Sequence, residues 1–363
     1  MERRTFLAAL LAVTAGCGGG QTEPRTTTST RETTATTEST TVTTTSTATP
    51  TTTGTTETTT ATTEATTTTT TAEENYVARL RIDEARGALG DALEAYTATT
   101  DGGVLDVTPA DTPDLERVRS RVEDARAALD EAEAAATESQ RRTVADLRVA
   151  ATFLERAATA DRALTDAHAG AVSVRERLPT SLGIGDALRR MRAALETARA
   201  ALADLSPVDG EAASALDGLG DRVVERKRTQ VRERTEGYGT TADACETFGA
   251  GMSAFGRGTD DYRSDAWRNA AEFFATAADR LGQASEAYDT VPEVPALSDV
   301  LAVLAPACAA LATAAERAEV SARAGEDERE SDRKAELESA KDAVRGNEYA
   351  RRFQTVVRFL DSN

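Results

Sequence analysis

Three cysteines and one histidine are the side chains of this chain best able to act as nucleophiles, general bases or zinc ligands. Zinc sites bring such residues together at close spacing, but His168 stands alone and Cys245 lies far from Cys308 along the chain. A cysteine nucleophile would have only His168 as its base, and no carboxylates follow the acid–glycine–acid pattern of a calcium loop. We therefore expect no catalytic residue, no metal site and no cofactor, with His168 exposed near a helix end.

The third cysteine, Cys17, follows a short apolar run near the start of the chain. This run, from Phe6 to Val13, has eight residues, whereas a helix that crosses a bilayer needs about 20. A basic pair (Arg3 and Arg4) precedes it, and a stretch of small residues follows it. These are the three parts of a secretory signal.

Two short motifs within this signal resemble known export signals. Arg3-Arg4-Thr5-Phe6-Leu7 resembles the twin-arginine export signal, and Thr14-Ala15-Gly16-Cys17 resembles the lipobox of lipoproteins. The resemblance implies that residues 1–16 are removed as a signal peptide and that the sulfur of Cys17 carries a lipid. The alternative is ordinary secretion, with cleavage after Ala15 and Cys17 left as an incidental thiol.

Export bears on the other two cysteines, because disulfides form outside the reducing cytosol. Cys245 and Cys308 each lie on an apolar helical stripe, so a disulfide between them could hold two helices together. The alternative is a pair of free, buried thiols that pack as small hydrophobic side chains.

A threonine-rich segment follows the lipidation motif. Thr accounts for 32 of the 50 residues from Thr22 to Thr71, and Val42 is the single large aliphatic residue among them. Such a segment cannot bury enough apolar surface to offset its chain entropy. We predict that residues 17–72 form a disordered stalk, either O-glycosylated or bare, between the membrane and a folded body.

The charge balance of the chain limits the partners that it can attract. Asp and Glu number 61 against 42 Lys and Arg, which gives a net charge of −19. This charge disfavours nucleic acids and anionic membrane surfaces. The acidic excess and the scarcity of lysine (Lys227, Lys334 and Lys341) resemble the secreted proteins of salt-loving archaea.

Apolar residues recur at alternating steps of three and four, which indicates amphipathic helices throughout the body. A clear example is the stripe Leu188, Met191, Leu195, Ala198, Leu202 and Leu205. Breaks fall at 101–103, 112–114, 178–185, 206–207, 256–258, 291–295 and Gly325, and residues 114–169 form one helix or two joined near 137–139. We predict an all-α fold of long antiparallel helical hairpins.

Aromatic residues divide this body into two parts. Of the 15 Phe, Tyr and Trp residues, 11 lie from Tyr238 onward. We therefore predict an alanine- and leucine-rich helical rod over 73–205 and a thicker, aromatic-richer helical domain over 206–363, with the boundary somewhere in 206–237.

Two clusters could form binding surfaces. One predicted helix carries the aromatic residues that would line a ligand pocket: Tyr262, Trp267, Phe273, Phe274 and Tyr288. Four positions on it (267, 274, 281 and 288) share the spacing of a packed core. A basic cluster at 222–234 is interleaved with glutamates, which favours a solvated, salt-bridged helix face over a docking patch for an acidic partner.

Together these features predict a lipid-anchored protein on the extracellular face of the membrane. We expect a non-enzymatic binding or scaffold module with a protein partner, one candidate role being that of an accessory to a membrane complex. The alternative is a small-molecule-binding or sensory domain that uses the aromatic region, and an enzyme ranks third.

Overall fold

The computed structural model describes residues 61–180 and 184–362, with side chains from residue 75 onward. Within these ranges the chain forms helices and no strand, as predicted. The ten α-helices are α1 (Ala61–Thr97), α2 (Leu115–Ala135), α3 (Glu138–Arg177), α4 (Ile184–Leu205), α5 (Gly210–Ala213), α6 (Asp221–Arg263), α7 (Trp267–Asp289), α8 (Ser298–Glu326), α9 (Glu330–Arg345) and α10 (Gln354–Ser362).

Most of these helices pack against the next helix along the chain, as antiparallel hairpins do. The pairs are α1 with α2, α3 with α4, α6 with α7, α7 with α8 and α8 with α9. The apolar stripes form the contacts: on α4, the buried residues include Leu188, Met191, Leu195, Ala198 and Leu205. The predicted all-α hairpin architecture is therefore confirmed.

Two hydrophobic cores lie along the molecule. The first core contains α1, α2, α3 up to Ala158 and the segment from Leu205 to Val224. The second core contains α3 from Ala160, α4, α6 from Val231 and the helices α7 to α10. This division differs from the predicted boundary at 206–237, because α4 packs in the second core although it precedes that boundary.

The two longest helices run through both cores. Helix α3 has 40 residues and α6 has 43, which correspond to lengths of about 60 and 65 Å. No hinge is needed where the cores meet, because each helix continues unbroken from one core into the other.

Helix boundaries follow local capping signals. Residues 114–169 form two helices, because Thr137 caps α3: its hydroxyl accepts a hydrogen bond from the backbone N–H of Gln140, whose side chain bonds back to the Thr137 N–H. Asp114 caps α2 in the same way through the N–H of Arg117.

The predicted stop at 256–258 is wrong, since α6 continues to Arg263. Gly258 instead lets the Phe274 ring pack against the helix backbone.

The export signal at Arg3 and Arg4, the lipidation site Cys17 and most of the stalk lie outside the described residues. Helix α1 begins at Ala61, so residues 61–72, which we assigned to the stalk, are helical. A helix already formed on the packed residues from Ala78 extends with one hydrogen bond per added residue and no new nucleation cost.

Among the residues that the structure describes, one helical segment, Pro295–Glu326, is long and apolar enough to cross a membrane by length and composition. Its most apolar window has a mean hydropathy of 1.8, and 39% of that window is buried within the bundle. Core helices of soluble proteins satisfy the same criteria.

Candidate functional site

A cleft opens at one end of the second core, where the turn between α6 and α7 meets the turn between α8 and α9. Its volume is about 450 Å³, and its lining residues are Tyr262, Arg263, Asp265, Trp267, Gly325, Glu328, Glu330 and Arg333. Two residues of the predicted pocket, Tyr262 and Trp267, are among them. The cleft therefore combines two aromatic rings with charged groups of both signs.

The wall of the cleft is a continuous hydrogen-bond chain around the buried Tyr262. The Ser321 hydroxyl donates to the Arg333 carbonyl at 2.9 Å, so the Tyr262 hydroxyl donates to Ser321 Oγ at 2.8 Å and accepts from Arg333 Nη1 at 3.1 Å. The Trp267 ring meets Tyr262 edge-on, with the centroids 4.8 Å apart. A Cβ at Gly325 would lie 2.8 Å from Trp267 Cδ2, so this position requires glycine for close packing.

Arg333 is held in place by both aromatic rings and by an acid. Its guanidinium lies 5.7 Å from the Trp267 centroid and 5.9 Å from the Tyr262 centroid. It also donates two hydrogen bonds of 2.7 Å to the carboxylate of Glu330. These bonds, with a further one from Lys334, lower the pKa of Glu330 to about 2. The Arg333–Glu330 pair is therefore a neutral unit in the wall.

Two residues with left-handed backbone lie at the rim. Asp265 has φ 58° and Glu328 has φ 57°, and they are the non-glycine residues with positive φ in the described part of the chain. Each ends a helix in a Schellman motif: Ala266 N–H bonds to Asp261 O after α6, and Arg329 N–H bonds to Ala324 O after α8. Both turns thus direct a carboxylate-bearing residue to the same opening.

The remaining aromatic residues of the predicted pocket lie elsewhere. Tyr262 ends α6 rather than sharing a helix with the others, which belong to α7. Phe274 is fully buried in the second core, Phe273 is half-buried beneath Arg257, and Tyr288 is bonded to Cys245. The side chains at positions 274, 281 and 288, which are seven residues apart, are all buried. Their spacing therefore reflects packing in the core and not the lining of a pocket.

Cys245 and Cys308 are free, buried thiols in the structure, so the predicted disulfide is not formed in it. The Cys245 Sγ lies 3.1 Å from the Tyr288 hydroxyl. Burial raises the pKa of Cys245 to about 11, and burial together with the neighbouring Cys245 raises the pKa of Cys308. Both thiols are therefore protonated at neutral pH and are poor nucleophiles.

His168 is half-buried rather than exposed, which corrects the prediction. Its Nδ1 lies 3.0 Å from the Tyr238 hydroxyl. Burial, with a contribution from Arg175, lowers the pKa of the imidazole. The residue is therefore a neutral hydrogen-bond partner between α3 and α6.

A cluster of buried charged groups lies where the two cores meet. Asp161 is almost fully buried and faces two cations: Lys227 Nζ lies 2.5 Å from its Oδ2, and Arg234 Nη1 lies 3.5 Å from its Oδ1. The Tyr96 hydroxyl donates to Oδ2 at 2.5 Å. Burial lowers the pKa of Lys227, an effect that Asp161 opposes, and burial raises the pKa of Tyr96.

The same cations bind the loop between α1 and α2. Lys227, Gln230 and Arg234 lie on one face of α6 and donate to the carbonyls of Val104, Leu105 and Val107, at 3.0, 2.9 and 2.8 Å. The predicted solvated basic face is thus wrong at positions 227 and 234, whereas Arg222, Arg226 and Arg232 are exposed. Nothing in the local sequence distinguishes the buried cations from the exposed ones.

In the described part of the chain no group of three or more His, Cys, Asp or Glu could hold a metal ion. No protein-family model, no curated protein and no solved structure matches this chain.

Proposed function

We propose that this protein is a non-enzymatic binding or scaffold module, anchored through a lipid on Cys17 to the outer face of the cell membrane. Support for the anchor comes from the sequence alone: the basic pair Arg3 and Arg4, the short apolar run and the lipobox-like residues before Cys17. The threonine-rich segment then separates the body from the membrane.

The observation that carries the binding role is the continuity of α3 and α6 through both cores. Two helices of about 60 Å, joined by a buried ion cluster, make a stiff support for the outer helices of both cores. The outer helices α2 and α7 each keep one face exposed along their length. Such faces suit contact with another protein better than capture of a small molecule, which is usually enclosed by its site.

A second candidate function is small-molecule binding or sensing at the cleft beside Tyr262 and Trp267. The volume of about 450 Å³ falls within the range of small-molecule sites. The cleft is partly open, however, so a small ligand would keep part of its surface in solvent.

The anchor predicts a change of location for Cys17→Ser. This variant has no sulfur to carry the lipid, so the mature protein should appear in the medium instead of the membrane fraction, as measured by fractionation and immunoblotting. Cys245→Ser is the matched control and should stay with the membrane. Retention of Cys17→Ser in the membrane fraction would contradict the lipid anchor.

The binding role is tested on intact cells with photoreactive residues at exposed positions. Positions 119 on α2 and 268 on α7 are both exposed, so a crosslinker there probes the surface above the first core and above the second core. A scaffold should give a crosslinked species of one defined mass that includes a second protein. Absence of any defined species, together with saturable thermal stabilisation by a small molecule, would favour the second candidate instead.

A further inference from the structure

We propose that the cleft at the end of the second core receives an arginine side chain of a partner protein. This inference rests on the proposed binding role and names the chemistry of the partner. It follows from the unpaired charges at the rim, the tryptophan in the wall and the net charge of the chain.

The rim presents carboxylates that have nothing to bind. Neither the Asp265 carboxylate nor the Glu328 carboxylate has an ion-pair or hydrogen-bond partner among the residues that the structure describes, and of the two arginines that line the cleft, Arg263 is the one whose guanidinium has no such partner. Because Arg333 and Glu330 neutralise each other, the unpaired side chains that line the cleft (Asp265, Glu328 and Arg263) sum to one negative charge; Lys334, which also bonds to Glu330, is not a lining residue. An incoming cation would therefore be attracted, and the net charge of −19 would favour its approach.

The aromatic wall selects a guanidinium among cations. Arg333 already shows how this wall holds such a group, with its planar guanidinium within 6 Å of both ring centroids. Trp267 is half-buried and keeps part of its ring open to the cleft. A second guanidinium could stack on that open part and donate to the carboxylate of Asp265 or Glu328, since arginine combines stacking with bidentate hydrogen bonds. A bare metal ion could not use the ring in this way.

Trp267 also provides the measurement, because it is the single tryptophan of the chain. The probes are the capped tripeptide Gly-Arg-Gly and the same peptide with citrulline, which has nearly the shape of arginine without its charge. In a fluorescence titration of the folded protein, the arginine peptide should shift the Trp267 emission with a dissociation constant on the order of 1 mM. The citrulline peptide should bind at least about tenfold more weakly.

A double variant locates the site. Asp265→Asn with Glu328→Gln removes both rim carboxylates, and asparagine tolerates the left-handed backbone at 265. This protein should bind the arginine peptide about tenfold more weakly, whereas the control Asp260→Asn with Glu326→Gln, which removes two exposed carboxylates that do not line the cleft, should bind it normally.

Equal binding of the two peptides, no binding of either, or unchanged binding by the rim variant would each overturn the inference. These outcomes leave the binding role open, because a partner can be crosslinked through another face. Conversely, normal arginine selectivity combined with no crosslinked protein on intact cells would refute the protein partner, and with it this inference.

Discussion

At the scale of single residues, Asp161 is the group on which the contact between the two cores most depends. Its carboxylate forms ion pairs with both Lys227 and Arg234, and its Oδ1 accepts no hydrogen bond within the described structure. The two cations in turn bind three carbonyls of the loop before α2 together with Gln230. Loss of the anion would leave two positive charges in a buried site.

We therefore predict that Asp161→Asn lowers the free energy of unfolding by about 3–5 kcal/mol, because it leaves buried positive charges without their anionic partner. Urea unfolding followed by circular dichroism measures this loss. Asp166→Asn is the control: Asp166 is exposed on the same helix and pairs with Arg162 at 3.6 Å, so its loss should be below about 0.5 kcal/mol. Equal effects of the two variants would contradict a structural role for the cluster.

Cys245 gives a prediction about pH. Its thiol has a pKa of about 11 in the folded protein, raised from 9.0 by burial. Between pH 9 and pH 11 the Cys245 thiol has lost its proton in the unfolded chain but keeps it in the folded protein. Its contribution to stability is therefore fully present below pH 9 and falls as pH rises toward 11. Cys245→Ala should show a shallower fall over this window, by about 1 kcal/mol per pH unit. Parallel curves for the two proteins would show that this thiol is not linked to stability.

At the scale of helices, glycine has two distinct roles in this structure. Gly325 near the end of α8 touches the Trp267 ring, whereas Gly282 within α7 has open space where a Cβ would lie. The first glycine permits a close approach and the second merely lowers helix propensity.

Alanine at these two positions should therefore have opposite effects. Gly325→Ala should destabilise the protein by about 1–3 kcal/mol and shift the Trp267 emission, because the ring must move. Gly282→Ala should stabilise it by about 0.5–1 kcal/mol and leave the emission unchanged. Thermal unfolding with fluorescence measures both, and a stabilising Gly325→Ala would contradict the observed packing.

The helices could be predicted from the sequence because their signals are local. The stripe from Leu188 to Leu205 needs only the period of the helix, and the break at 137–139 needs only a capping box. The ion cluster could not be predicted from local patterns, because Tyr96 and Asp161 lie 65 residues apart along the chain. In addition, Lys227 lies among alternating basic and acidic residues, a pattern typical of a solvent-exposed helix face.

The candidate cleft was partly predictable. The aromatic composition pointed to Tyr262 and Trp267, but the same pattern also included Phe274 and Tyr288, which are core residues. The acidic rim carried no signal, because Asp265 and Glu328 occupy left-handed positions where glycine is the usual residue. Gly325, just before the end of α8, is a second sequence feature that marks this end of the molecule.

At the scale of the whole molecule, the continuity of α3 and α6 predicts that the two cores unfold together. Leu129→Ala creates a cavity in the first core and should cost about 2–5 kcal/mol. Because Trp267 packs against the second core, its fluorescence should report the same lowered midpoint as circular dichroism. A fluorescence midpoint that does not move, with a biphasic dichroism curve, would show that the cores are independent.

The burial of Lys227 has a practical consequence for surface chemistry. The chain has three lysines, and the other two, Lys334 and Lys341, both lie on α9. Reagents that acylate side-chain amines can therefore attach a dye or a solid support only along this one helix. A preparation coupled in this way would have a uniform orientation, with the first core facing away from the surface.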